Sequence, residues 1–146
     1  MSCNGRLKAG LTLAVATAVI GYAPLAQADT LTAFHTPSGN IHCKALVGEG
    51  GAIADCEILD VSGPPPLPRP VGCEAEWGRR VMVTEVTPGE MVCETGTLRD
   101  PHGLVLNYGS SVGIGDITCR SSQQGLECIN QQGHGFFLSR TSRRLF

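Results

Sequence analysis

Aromatic side chains make up only 5% of the 146 residues and charged ones only 16%, with one tryptophan and three methionines. So few large side chains exclude an extensive multi-layered core and point to one compact domain. No long apolar run of 3.6-residue period is present, which excludes a mainly helical fold and leaves helix a minor element at most. No Cys-x-x-Cys, His-x-His or His-Glu-x-x-His spacing occurs, so no metal site is written into one local segment, and no metal or other cofactor is expected. Basic residues are scarce too. Arg140, Arg143 and Arg144 form the one basic cluster, which reads as a solvated chain end, and nucleic acid is not an expected partner.

What the chain does have is a change of character near residue 28. Arg6 and Lys8 precede an uncharged stretch from Ala9 to Ala28, almost wholly apolar or small between Leu11 and Ile20. This is the order of a signal peptide, a basic segment and then an apolar one. Pro24 breaks the helix, and Ala26-Gln27-Ala28 before Asp29 suits a peptidase pocket that admits only short side chains, so cleavage after Ala28 is expected. The competing reading is an uncleaved anchor, since about 20 residues span a bilayer. Gly10, Thr12, Thr17, Gly21 and Pro24 make that a poor spanning helix. No cysteine stands at the cleavage position, and Cys3 lies ahead of the apolar run, so a lipid anchor is not expected either. Loss of Arg6 and Lys8 leaves nine basic against 13 acidic residues, a formal charge of −4. Residues 29–146 then form a single domain with no stable membrane insertion.

Six cysteines remain: Cys43, Cys56, Cys73, Cys93, Cys119 and Cys128. An even count in a small exported domain implies disulfides. Six allow 15 pairings, but these fall into three local couples, each bracketing a stretch that reads as a hairpin. Cys43–Cys56, Cys73–Cys93 and Cys119–Cys128 are therefore expected, each stabilising the fold by roughly 2–4 kcal/mol.

Short apolar runs cut by turn residues every ten or so positions read as strands. Pro37-Ser38-Gly39-Asn40 is turn chemistry, followed by strands at 41–47 and 52–59 about a turn at Gly48 to Gly51. The proline-rich segment from Ser62 to Pro70 must leave any ladder, because proline has no N–H to donate. Trp77 to Val86 and Met91 to Glu94 flank a Pro88-Gly89 turn. Further strands are expected at 104–108, 114–120, 126–130 and 135–139. The sum is an all-β domain, a small antiparallel sandwich or barrel of seven or eight short strands. Ser38-Gly39-Asn40-Ile41-His42-Cys43-Lys44 also echoes Ile114-Gly115-Asp116-Ile117-Thr118-Cys119-Arg120, as two equivalent disulfide hairpins would.

The segments Phe34-His35-Thr36-Pro37-Ser38-Gly39-Asn40-Ile41-His42-Cys43, Trp77-Gly78, Leu106-Asn107-Tyr108-Gly109, Gly133-His134-Gly135-Phe136 and Leu138-Ser139-Arg140, with the cysteine layout, resemble small exported bacterial proteins grouped as a domain of unknown function. The resemblance covers most of residues 29–146. It implies export, and it carries over no reaction, ligand or catalytic residue.

Candidate chemistry is sparse. Gly109-Ser110-Ser111-Val112-Gly113 fits G-x-S-x-G, with Asp116 and His134 next in triad order, but a nucleophile elbow needs a strand-to-helix turn, and Ile114 to Cys119 reads as a glycine-broken strand. A glycine-serine turn is the simpler reading. Of His35, His42, His102 and His134, a cluster of His35, His42 and His134 is the only arrangement offering proton or metal chemistry, and it would have to assemble from distant segments. The simpler reading has His42 facing solvent and the His134 ring bonding turn backbone. Trp77 and Tyr108 are candidates for a ligand platform, although Phe34, Trp77, Tyr108, Phe136 and Leu138 read first as packing. No residue is assigned as catalytic or as a metal ligand.

The expectation is thus a non-enzymatic periplasmic or secreted domain with a binding or structural role toward an unknown protein or envelope ligand. A small hydrolase or metal-dependent enzyme using His35, His42 or His134 with Ser111 or Asp116 is the alternative. A third reading is an inhibitor of a protease or lysozyme that presents Gly48 to Ala54 or the proline segment as a preorganised loop.

Overall fold

The computed structural model describes residues 29–146, so the expected leader at 1–28 lies outside the described residues. Among these described residues eleven strands form: β1 (Thr30–His35), β2 (Ile41–Gly48), β3 (Gly51–Ile58), β4 (Arg80–Thr84), β5 (Glu90–Met91), β6 (Leu104–Val105), β7 (Ser111–Ile114), β8 (Ile117–Ser122), β9 (Gly125–Asn130), β10 (Gly135–Leu138) and β11 (Arg143–Leu145). The class is all-β, with more strands than the seven or eight expected. They build two open sheets, β5-β4-β3-β2-β1-β6 and β11-β10-β9-β8-β7, so the architecture is a sandwich rather than a barrel. All neighbours are antiparallel except β6, which pairs parallel to β1.

Alternation along the strands explains why two sheets stack. Ala52, Ala54, Cys56 and Ile58 of β3 and Val81 and Val83 of β4 point inward from one sheet. Ile117 and Cys119 of β8, Leu126 and Cys128 of β9, and Phe136 and Leu138 of β10 do so from the other, and all belong to one core cluster. A period of two on each strand leaves one apolar face per sheet, and burying each large aliphatic or aromatic side chain is worth about 1.5–3 kcal/mol.

The three disulfides are Cys43–Cys56, Cys73–Cys93 and Cys119–Cys128. Cys43 faces Cys56 directly across β2 and β3, and Cys119 faces Cys128 across β8 and β9. Their Cα atoms lie 4.1 and 4.0 Å apart, near the close spacing of about 4.5 Å at a non-hydrogen-bonded antiparallel pair.

The internal echo is a duplication of architecture. β1 to β5 and β7 to β11 are each a five-stranded meander with a buried disulfide between the second and third strands. Equivalent polar clasps precede each second strand. Asn40 bonds the main chain of Asp60 twice, at 3.0 and 2.8 Å, while Asp116 Oδ1 accepts from Gln131 Nε2 at 2.8 Å.

Several expected boundaries differ. Residues 114–120 are not one strand: Ile114 pairs with Ile117 around a two-residue Gly115-Asp116 turn, with Gly115 at φ 54°. That turn makes Ser111 to Ile114 a strand, where a glycine-serine turn was expected. The 77–86 segment shortens to β4, with Gly78 before it and Pro88-Gly89 beyond it, and the 104–108 segment shortens to β6. β1 and β11 were not anticipated, and β11 uses the arginines assigned to a solvated end. The proline-rich segment from Ser62 to Pro70 is the expected extended connector, and it runs on without a named strand through residues 71–79, where Trp77 to Arg79 were expected to open one. It is braced by Trp77 Nε1 donating to Leu67 O at 3.0 Å, Arg69 donating to Cys73 O and Ala75 O, and Arg143 donating to Gly63 O and Pro64 O at 2.7 Å.

Candidate functional site

At one end of the sandwich the sheets part around a cleft of about 360 Å3. Four segments wall it: the turn from Thr36 to Ile41 between β1 and β2, Tyr108 in the connector before β7, the Ser122 to Gly125 turn between β8 and β9, and Ser139 to Thr141 after β10. The inner wall is internally satisfied. Buried Thr36 Oγ1 accepts from Ile41 N at 3.4 Å and bonds Ser38 Oγ at 3.2 Å. Ser122 Oγ donates to Gly125 O at 3.1 Å, and Ser139 Oγ donates to Ser142 O at 3.2 Å.

The rim differs. The Tyr108 hydroxyl, the Gln123 and Gln124 amides and the Thr141 hydroxyl make no protein hydrogen bond among the described residues. Tyr108 is 42% exposed, so it is not the packing residue it was expected to be. Arg140, the one ionisable cation in this wall, meets Asp60 Oδ2 through Nε at 3.3 Å and keeps its side chain 66% exposed. Mixed donor-acceptor groups, one aromatic ring and one guanidinium equip the cleft to hold a polar ligand by many directional bonds.

The other candidates do not join it. His35 and His42 are directly opposed on β1 and β2, on the outer face of the first sheet, with ring centroids 5.3 Å apart. His35 Nδ1–H donates to Thr36 O and His42 Nε2–H to Gly39 O, both at 2.9 Å. His42 is only 8% exposed, contrary to the expected solvent-facing position, because Arg99, Asp100 and Pro101 close over the pair around a cavity of about 310 Å3. The same covering segment lays buried Leu98 on the sheet and donates from Thr97 Oγ1 to Glu57, the register partner of His42. Beside Glu57, Arg80 donates to both carboxylate oxygens of Asp55, which raises its pKa above the ordinary guanidinium value despite its burial.

His134 lies in the β9–β10 turn of the other sheet, away from that pair. Its turn is held by Asn130, whose Oδ1 accepts from Gln132 N and His134 N at 3.0 Å; this is the role expected of the His134 ring. His102 sits in an exposed turn where its N–H donates to Asp100. Ser111 opens edge strand β7, whereas Asp116 stands beyond the far end of the same strand, engaged with Gln131. Trp77 packs partly buried against the core, and Phe34, Phe136 and Leu138 are buried within it.

Sequence reasoning named Tyr108 and missed Gln123, Gln124 and Thr141. Neighbouring Gln123-Gln124 between two strand-like runs was a signal for an exposed turn, but nothing in it pointed to Tyr108 or Arg140. No curated protein and no solved structure matches the chain. A family model described as a family of unknown function, DUF6636, matches residues 12–146, and the chain belongs to that family.

Proposed function

We propose that the chain is an exported domain that binds a ligand in the periplasm or cell envelope without transforming it, and that the end cleft is where it binds. One observation carries this reading. Three segments on which the sequence resemblance rests, Thr36 to Ile41, Leu106 to Gly109 and Leu138 to Arg140, lie far apart in the chain yet each sends residues to this one cleft. Turns placed on a rigid scaffold are where binding residues concentrate. Three disulfides agree with an oxidising compartment, and no helix among the described residues is long and apolar enough to cross a membrane. A hydrolase needs nucleophile and base within hydrogen-bonding reach; the separation of Ser111, Asp116 and the histidine pair favours binding instead.

Titrating the 15N-labelled domain with solubilised envelope fractions tests the site. Amide shifts confined to Tyr108, Gln123 to Gly125 and Ser139 to Thr141 are expected; shifts elsewhere, or turnover of the added material, overturn it. Mass spectrometry of protein recovered from the periplasm or medium, with its N-terminus at Asp29, tests export.

A second reading is favoured by the braced connector. Leu67 is 46% exposed and Val71 fully so, on a loop held by Arg69, Trp77, Arg143 and the Cys73–Cys93 bridge. Such preorganisation suits an inhibitor that inserts a loop into a partner's cleft. Protease and lysozyme inhibition that vanishes in Val71→Asp would support it, and no inhibition across the panel removes it.

A further inference from the structure

We propose, resting on the cleft being the binding site, that its ligand is a saccharide bearing a carboxylate. Each rim group, the Tyr108 and Thr141 hydroxyls and the Gln123 and Gln124 amides, is both donor and acceptor and makes no bond to protein among the described residues. Sugar hydroxyls have the same dual character, so adjacent ones can be met in either sense. An apolar ligand would strip water from these groups and leave them unpaired, which is costly.

Tyr108 adds a second requirement. A half-exposed ring beside hydroxyls and amides suits a ligand with an apolar face and a polar edge, which a pyranose ring supplies through its axial C–H groups. The cleft volume of about 360 Å3 falls in the range of small-ligand sites.

Arg140 supplies the third. It is the only cation in a wall otherwise free of formal charge, within a domain whose residues 29–146 carry a net charge of −4. Asp60 engages Nε, and the two terminal nitrogens make no bond among the described residues, leaving a planar pair of donors for a carboxylate. A peptide is the main competitor. Extended peptides are captured by main-chain pairing with a strand edge, whereas these walls are turn side chains.

The purified domain is applied to an array of neutral and carboxylate-bearing glycans and to a matched array of peptides, and hits are titrated by 15N NMR. Acidic glycans are expected to bind and to shift the amides of Tyr108, Gln123, Gln124 and Arg140. Tyr108→Ala should weaken binding about tenfold or more with an unchanged melting temperature. Arg140→Gln should abolish the preference for acidic over neutral glycans, read as the ratio of the two affinities. Equal binding of neutral glycans by the wild type overturns the carboxylate assignment. Peptides shifting the cleft amides with no glycan bound overturns the saccharide and leaves the cleft standing as the site. Glycans that shift residues outside the cleft overturn both, and no binding on either array overturns the saccharide assignment.

Discussion

Arg143, in the last strand, donates its guanidinium to the carbonyl of Gly78 at the far end of the proline-rich connector. The same side chain reaches Gly63 and Pro64 at the near end, so one residue pins both ends of a segment that has no ladder of its own. Burial lowers the Arg143 pKa first, and repulsion from Arg79 lowers it further, so these three carbonyls must hold the charge against both. Arg143→Ala is expected to cost about 1–3 kcal/mol and to open the connector to limited proteolysis between Ser62 and Gly78. Unchanged cleavage kinetics would show that the prolines alone set its shape.

Asn130 does for the two sheets what Arg143 does for the connector. It is 4% exposed, donates through Nδ2 to Thr84 O at the end of β4 and to Thr87 O in the turn that follows, and accepts from two N–H groups of its own turn. Asn130→Ala strands two carbonyls and two amides at once, and a loss of about 2–4 kcal/mol in urea denaturation is expected. Asn130→Asp keeps the two acceptor bonds but turns a carboxylate oxygen toward both carbonyls in a buried site, so at neutral pH it is expected to be at least as destabilising as alanine.

Ser121 runs the other way. Its hydroxyl is fully buried and bonds no protein group among the described residues, so it loses hydration without compensation. Ser121→Ala is expected to raise stability by about 1 kcal/mol, read as a higher denaturation midpoint at unchanged slope.

The bridges should not be reduced together. Cys43, Cys56, Cys119 and Cys128 are at most 1% exposed, whereas Cys93 is exposed and Cys73 half-buried. Reductant needs access to sulfur, so graded reduction with alkylation should label Cys73 and Cys93 first while the far-UV spectrum stays native. Simultaneous labelling of all six would mean that global unfolding precedes reduction.

The reach of sequence reasoning depends on the range of the interactions involved. The Cys43–Cys56 and Cys119–Cys128 couples were legible because each spans one hairpin and sits at a facing register, a local arrangement. The alternation of Ala52, Ala54 and Cys56 was legible for the same reason. β11 was not, since Arg143 and Arg144 look solvated until Phe137 is found facing Arg144 across the ladder, with the guanidinium carbon 4.8 Å from the ring centre. His42 looked exposed by strand parity, and parity did place it on the outer face. A segment more than 50 residues later in the chain buries it there, and no local pattern announces that. The cleft is the extreme case, since Ser38, Tyr108, Gln123 and Arg140 come from four turns that meet only after both sheets have stacked.

Among the described residues no bridge joins the two meanders: Cys43–Cys56 and Cys73–Cys93 belong to the first, and Cys119–Cys128 to the second. The connector between Glu94 and Ser110 is therefore the only covalent tie between the halves. Cut there, the molecule becomes two independently cross-linked pieces held by core contacts and by polar ties from Asn130, Arg140 and Arg143, and the end cleft, with Ser38 on one piece and Gln123 on the other, exists only while they are reunited. That makes the fold a natural split system, in which cleft occupancy and fragment reassembly report on each other.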